Sequence, residues 1–289
     1  MKNKDIFTFR DAEKQAGPVA FSTMLKPAGS ACNLDCHYCY YLDKAVQYGG
    51  RQAVMSDELL ELYVRQYIEA NEVPTVQFCW HGGEPLLLGV DFYRKAMDFQ
   101  QKYADGKKIE NILQTNGTLV DEAWCDLFAG NNFLVGISLD GPQDIHDAFR
   151  LTKGGRPTFE RVMRTIEMFQ RSGVEYNTLS VVNRLCEGRG GEIYRFFRDT
   201  VHSRYMQFLP AVEHVVDKPG FHRPLIVSPD REGARLAEWS VTAKGYGGFL
   251  CDVFDVWVVS DVGRTFVQMF DATLALSLIH ISEPTRRSY

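Results

Sequence analysis

Apolar positions along the chain follow two alternating rhythms. Short, mostly apolar runs read as buried strands at roughly Phe21 to Lys26, Thr75 to Trp80, Ile109 to Gln114, Phe133 to Leu139, Glu175 to Val182 and Tyr205 to Leu209. Between them apolar residues recur three or four apart, the spacing that lines one face of a helix. Ser56 is placed to cap a helix carrying Leu59, Leu60, Leu62, Tyr63 and Tyr67 on its apolar side. Phe92, Ala96, Phe99 and Tyr103 form a second stripe. Phe159, Val162, Met163, Ile166 and Phe169 form a third, closed by Gly173 as a C-terminal cap. Strand and helix therefore alternate, and parallel strands joined by right-handed helical crossovers give either a doubly wound sheet or a barrel.

The polar residues decide between the two. Each strand runs into polar or glycine-bearing positions at its C-terminal end: His81-Gly82-Gly83-Glu84, Thr115-Asn116-Gly117, Ser138-Leu139-Asp140-Gly141 and Asn183-Arg184. A barrel gathers all such ends at one mouth, whereas a doubly wound sheet concentrates them at one switch point. No GxGxxG or phosphate-loop pattern occurs, so the expected fold is α/β, a partial (β/α)6 TIM-like barrel. The segment Val215 to Pro229, with Pro219, Gly220 and Pro224, reads as a long loop. Helical stretches are expected at Glu232 to Ala243 and Phe249 to Val259.

Composition narrows the function classes. The 289 residues are 45% hydrophobic and 24% charged, the balance of a soluble globular chain of one or two domains. A net charge of -5 without a run of basic residues argues against nucleic acid as a partner. No run of eighteen apolar residues occurs, so no membrane span is expected. The N-terminus lacks the apolar core of a secretory signal, and seven cysteines make an odd count. Together these point to a reducing, cytoplasmic compartment and away from a disulfide framework.

Three of the cysteines, Cys32-x3-Cys36-x2-Cys39, fall in a loop directly after the first strand. Thiolates so spaced suit one face of a cubane iron-sulfur cluster, leaving the fourth iron open. The alternative is a zinc site completed by His37 or a distant residue, although the second cysteine or histidine pair usual in such sites is absent. Cys79, Cys125, Cys186 and Cys251 are scattered and read as small buried apolar residues. His81 and His146 read as hydrogen-bonded scaffold, and the arginines between Arg184 and Arg204 as a solvated face.

The cysteine spacing, with Tyr38 as the aromatic before Cys39, resembles the signature of the radical S-adenosylmethionine (SAM) superfamily. Gly82-Gly83-Glu84-Pro85 matches its GGE motif and Ser138-Leu139-Asp140-Gly141-Pro142 its SLDGP. More narrowly, Tyr40-Tyr41, Trp80 to Leu86, Gln114 to Gly117, Ile137 to Pro142 with Ile145-His146-Asp147, and Gln207 to Pro210 resemble the anaerobic sulfatase-maturating enzymes. The resemblance covers about residues 20 to 275. It implies one [4Fe-4S] cluster on Cys32, Cys36 and Cys39, with SAM chelating the open iron and cleaved reductively to a 5′-deoxyadenosyl radical. It implies oxidation of a sulfatase cysteine or serine to Cα-formylglycine, with a flavodoxin or ferredoxin as electron donor.

By the same resemblance, Gly82, Gly83 and Glu84 hold the SAM amino group, Tyr38 places the adenine through its backbone, and Ser138 reaches the ribose or carboxylate. Asn116 and Asp140 line the same mouth, and Tyr41 faces the peptide. Two other functions stay open at this point: another peptide-modifying SPASM-type maturase, and a non-catalytic zinc-binding module. Residues 1–20 are expected to be an N-terminal extension and 21–275 the barrel with its following helices. Residues 276–289 resemble the translation of a widely used transposase sequencing adapter, so a non-native tail is expected there. The natural protein would then continue into a SPASM domain holding two auxiliary [4Fe-4S] clusters and the catalytic base.

Overall fold

The computed structural model describes Arg10, Lys44 and residues 20–41, 54–217 and 224–282. Most of the expected N-terminal extension, Pro219, Gly220 and the end of the tail lie outside the described residues. Six parallel strands follow one another around a sheet: β1 (Met24–Leu25), β2 (Thr75–Trp80), β3 (Lys108–Thr115), β4 (Phe133–Ser138), β5 (Glu175–Val182) and β6 (Tyr205–Pro210). Their order in space is their order in sequence, with no reversal, which is how a barrel winds. The first strand is shorter than its apolar run, because only Met24 and Leu25 pair with Cys79 and Trp80.

Helices α1 (Asp57–Ala70), α2 (Val90–Tyr103), α3 (Glu122–Gly130), α4 (Gln143–Phe149), α5 (Phe159–Ser172) and α6 (Gly190–Arg195) cross between these strands. Ser56 caps α1 by accepting the Leu59 amide, and Gly173 closes α5 in the left-handed region at φ 69°. The buried face of α1 is Leu60, Val64, Tyr67 and Ile68, while Leu59 and Leu62 of the expected stripe face outward. Val76, Phe78 and Trp80 on β2, and Phe133, Val135 and Ile137 on β4, pack outward against the helices as the main core. Alternate residues point to the concave face. There Gly136 leaves room for its neighbours, since a Cβ would lie 2.1 Å from Gln114 Oε1.

After β6 the structure departs from expectation. The segment read as a long loop and then a helix at Glu232 to Ala243 forms three short antiparallel strands, β7 (His214–Val216), β8 (Leu225–Val227) and β9 (Arg235–Leu236). Extended pairing wins here because the Ala237 amide donates to Glu213 O (2.9 Å) and the Val241 amide to Ala211 O (2.9 Å). Helix α7 (Ala243–Ser260) then starts earlier than its apolar run suggested, capped by Thr242. A seventh parallel strand, β10 (Phe266–Val267), joins β6, and α8 (Gln268–Ser282) runs unbroken across the expected start of the tail.

The small sheet has its own core. Val215, Ala237 and Trp239 pack with Leu34, Cys36, Tyr38 and Phe149, apart from the main core. The far side of the cysteine loop is buried there. All seven cysteines are free; of the four expected to be buried, Cys125 and Cys186 are, Cys79 is half-buried, and Cys251 is exposed on α7.

Candidate functional site

The cysteine loop is fixed from two sides. On one side it lies against the end of β2, where the amides of His81, Gly83 and Glu84 donate to the carbonyls of Leu25 (2.8 Å), Gly29 (3.0 Å) and Ala31 (2.7 Å). Glycine is required there by close approach: a Cβ on Gly83 would meet Ala31 O at 2.1 Å and Ser30 O at 2.5 Å. Gly82 adopts φ 137°, a conformation open to glycine. On the other side the Asp35 and His37 amides donate to Leu151 O (2.8 Å) and Phe149 O (3.1 Å).

The loop and the C-terminal ends of β2 to β6 enclose a cavity of about 320 Å³. Cys32, Cys36, Cys39, Tyr38, Tyr41, Gly82, Gly83, Asn116 and Ser138 all line it, as one barrel mouth requires. Burial pushes the Cys32 thiol up to about 11 and the Cys36 thiol up to about 12, so loading a metal centre must displace protons. Cys32 Sγ already accepts from the Leu34 amide (3.4 Å) and Asn116 Nδ2 (3.7 Å), donors that suit a thiolate.

The geometry bears on cluster against zinc. His37, the suggested fourth zinc ligand, does not line the cavity; its ring packs against Phe149 and Trp239. Among the described residues no three His, Cys, Asp or Glu side chains are grouped to hold a single metal ion. A zinc ion draws its sulfurs to about 2.3 Å from one centre, whereas a cubane takes its thiolates at separate corners. Three thiols around a shared cavity fit the larger body.

Two residues expected at the mouth stand behind it. Glu84 is fully buried, and its carboxylate accepts from the Asn116 amide (2.8 Å), the Leu86 amide (3.0 Å) and Thr115 Oγ1 (2.8 Å). Burial nevertheless pushes it up to about 7. Asp140 is turned away as well. Its carboxylate accepts from Arg150 Nη2 (3.0 Å), the Val181 amide (2.9 Å) and the Tyr38 hydroxyl. Both therefore shape the mouth through the segments they hold.

His146 is scaffold, as expected. Its Nδ1 accepts the Asp140 amide (3.4 Å) and its Nε2 meets Thr158 Oγ1 (3.0 Å), whose own proton goes to Arg150 O (2.7 Å). Burial holds its basicity down to about 4. Between pH 6.5 and 4 the unfolded chain therefore binds a proton that the folded chain refuses, and stability from this site, complete above 6.5, falls as pH drops. Glu84 acts oppositely: its contribution is complete below pH 4.5 and is lost as pH rises through about 7. In denaturant melts of the cluster-free chain, the stability gap between wild type and His146→Gln should narrow by about 3 kcal/mol from pH 7 to pH 4. A gap independent of pH would show that His146 is not held neutral.

Arg150 and His81 line the cavity although the sequence assigns neither to the mouth, His81 reading as scaffold. Arg150 lines the mouth with its side chain 8% exposed, and its buried Nε has no hydrogen-bond partner among the described residues. One arginine ten residues past Asp140 carries no spacing signal, so only the fold brings it in. His81 also lines the mouth, and its place directly before Gly82-Gly83 was the available clue.

The sequence model of the Radical SAM superfamily matches residues 27–186. Over 253 residues the chain is 47% identical to a serine-type anaerobic sulfatase-maturating enzyme of Bacteroides thetaiotaomicron, covering 87% of this chain and 61% of that protein. It is 36% identical over 267 residues to a cysteine-type enzyme of Clostridium novyi, covering 90% and 66%. A solved structure of native anSMEcpe with bound AdoMet and Kp18Cys peptide superposes with a TM-score of 0.74 at 32% identity, covering 92% of this chain and 67% of that one. The chain thus spans about three fifths to two thirds of the length of these relatives.

Proposed function

The chain belongs to the Radical SAM superfamily and groups with its anaerobic sulfatase-maturating members, and from that premise we propose that its barrel mouth serves oxidation of a sulfatase serine or cysteine to Cα-formylglycine. The observation that carries this reading is the convergence of Cys32, Cys36 and Cys39 with Gly82, Gly83, Asn116 and Ser138 on one cavity. Cluster and SAM, bound together, supply a carbon-centred radical able to take a hydrogen atom. The chain's own residues position and shield.

Cys32, Cys36 and Cys39 would hold the cluster. The backbone at Gly82 and Gly83 offers close approach to the SAM amino group. Arg150 and Ser138, both lining the cavity, bring a guanidinium and a hydroxyl that suit a carboxylate. Glu84 contributes at one remove by holding the Thr115-Asn116 turn in place. Tyr38 keeps its backbone at the cavity by anchoring its hydroxyl on Asp140. Tyr41 stands at the peptide side.

The partners in this reading are a sulfatase polypeptide and a small one-electron donor such as a flavodoxin or ferredoxin. The two auxiliary clusters of this reading would fall in the further length that the relatives have. Anaerobic reconstitution with iron and sulfide tests the proposal: a brown chromophore and 5′-deoxyadenosine from SAM under reduction are expected, and Cys36→Ala should lose both. One zinc per chain with no chromophore would sink it.

A further inference from the structure

Several side-chain donors around the mouth are already engaged. Gln114 Nε2 is spent on Ser138 Oγ (3.0 Å), Asn116 Nδ2 on Asn33 Oδ1 (2.9 Å) and Arg150 Nη2 on Asp140 (3.0 Å). In His81 the inner nitrogen is occupied: Nδ1 accepts the Gly82 amide at 2.8 Å. A nitrogen that accepts carries no proton, so in the neutral ring the proton sits on Nε2. No partner for Nε2 occurs among the described residues. Burial and the charge of Lys26 both push the basicity of the ring down. The ring lies 6.0 Å from that of Tyr41, which Lys26 covers from 4.6 Å, so its position is set by packing as well as by the turn.

We infer that His81 is a substrate-orienting residue whose Nε2–H donates to the side-chain oxygen of the target residue and thereby favours serine over cysteine. The inference rests on the proposed maturation of a sulfatase peptide and names its preferred target. Hydroxyl oxygen accepts an N–H strongly and sulfur only weakly. One donor that is satisfied by serine and left short by cysteine separates the two by about fivefold in affinity. It would also fix the rotamer of the target, leaving a Cβ–H turned toward the SAM side of the cavity.

Two measurements test this. The first compares fluorescence-anisotropy binding of a pair of sulfatase active-site peptides, identical except for serine or cysteine at the target, to the reconstituted chain. His81→Asn keeps an acceptor for the Gly82 amide on Oδ1 while its Nδ2–H donors end short of where Nε2 reaches, and the iron content of the variant reports whether the loop is intact. The variant should weaken the serine peptide by about fivefold and leave the cysteine peptide almost unchanged. Equal weakening of both, or of neither, would overturn the inference. The second records ¹⁵N spectra of histidine-labelled wild type, where His81 should show a protonated Nε2 and an unprotonated Nδ1. The opposite tautomer would also overturn it. Failure of the underlying reading looks different, because wild type would then bind neither peptide.

Discussion

Gly83→Ala should lose the cluster while keeping the barrel. The added methyl would lie 2.1 Å from Ala31 O and 2.5 Å from Ser30 O, and both are main-chain atoms that cannot swing aside. The loop must retreat instead, taking Cys32 with it and breaking the short bonds from Gly83 and Glu84 to Gly29 and Ala31. Overpacking of this kind costs about 1–3 kcal/mol, which a barrel core of this extent tolerates. The displaced ligand is not tolerated: retention of the cluster should fall by about 10- to 100-fold. Iron and sulfide content after anaerobic reconstitution, read beside far-ultraviolet circular dichroism, checks the result. Gly248→Ala is the control, since it lies in α7 with open space around it. There alanine should load iron like wild type and stabilise the helix by up to about 1 kcal/mol. A Gly83→Ala protein that loads iron normally would mean the loop yields more easily than its contacts imply.

Asp140→Ala should give the largest loss of stability. Asp140 is 1% exposed and its partner Arg150 is nearly as deep, so removing the carboxylate leaves a guanidinium, the Tyr38 hydroxyl and the Val181 amide without their acceptor. Breaking a buried pair from one side costs about 3–5 kcal/mol, mostly from the stranded charge. For a chain of this size that lowers the melting temperature by about 10 °C. Asp91→Ala provides the contrast, because its pair with Arg94 is exposed and worth under about 1 kcal/mol. The double variant Asp140→Ala/Arg150→Met should recover part of the loss, since no charge is then left unpaired. If Asp140→Ala melts within a degree or two of Asp91→Ala, the pair is not the anchor described here.

What could be read from the chain depended on how local its physics is. The strands and their polar ends were legible because a buried strand writes its burial into consecutive residues, and β2 and β5 fall on their apolar runs. The cysteine spacing and Gly82-Gly83 were legible because a loop wrapping a cofactor confines its ligands to a few positions. The antiparallel sheet was not, since β7 to β9 are two or three residues long, too short to write an alternating pattern into the sequence. Nor were the side-chain directions of Glu84 and Asp140. A carboxylate beside a cavity and one behind it occupy the same motif position, and only the donors at Thr115, Asn116 and Arg150 decide which way each turns.

The separate core beneath the cysteine loop divides the molecule into two regions of unequal permanence. Leu34 and Cys36 rest on Val215, Ala237 and Trp239, a patch far smaller than the aromatic and aliphatic mass between the barrel and its helices. Segments with few buried partners open at lower free energy than the body they are attached to. The cysteine loop is therefore expected to open at a lower free energy than the strands and their crossovers. A cofactor held by that loop would then be inserted, or exchanged, without unfolding the barrel.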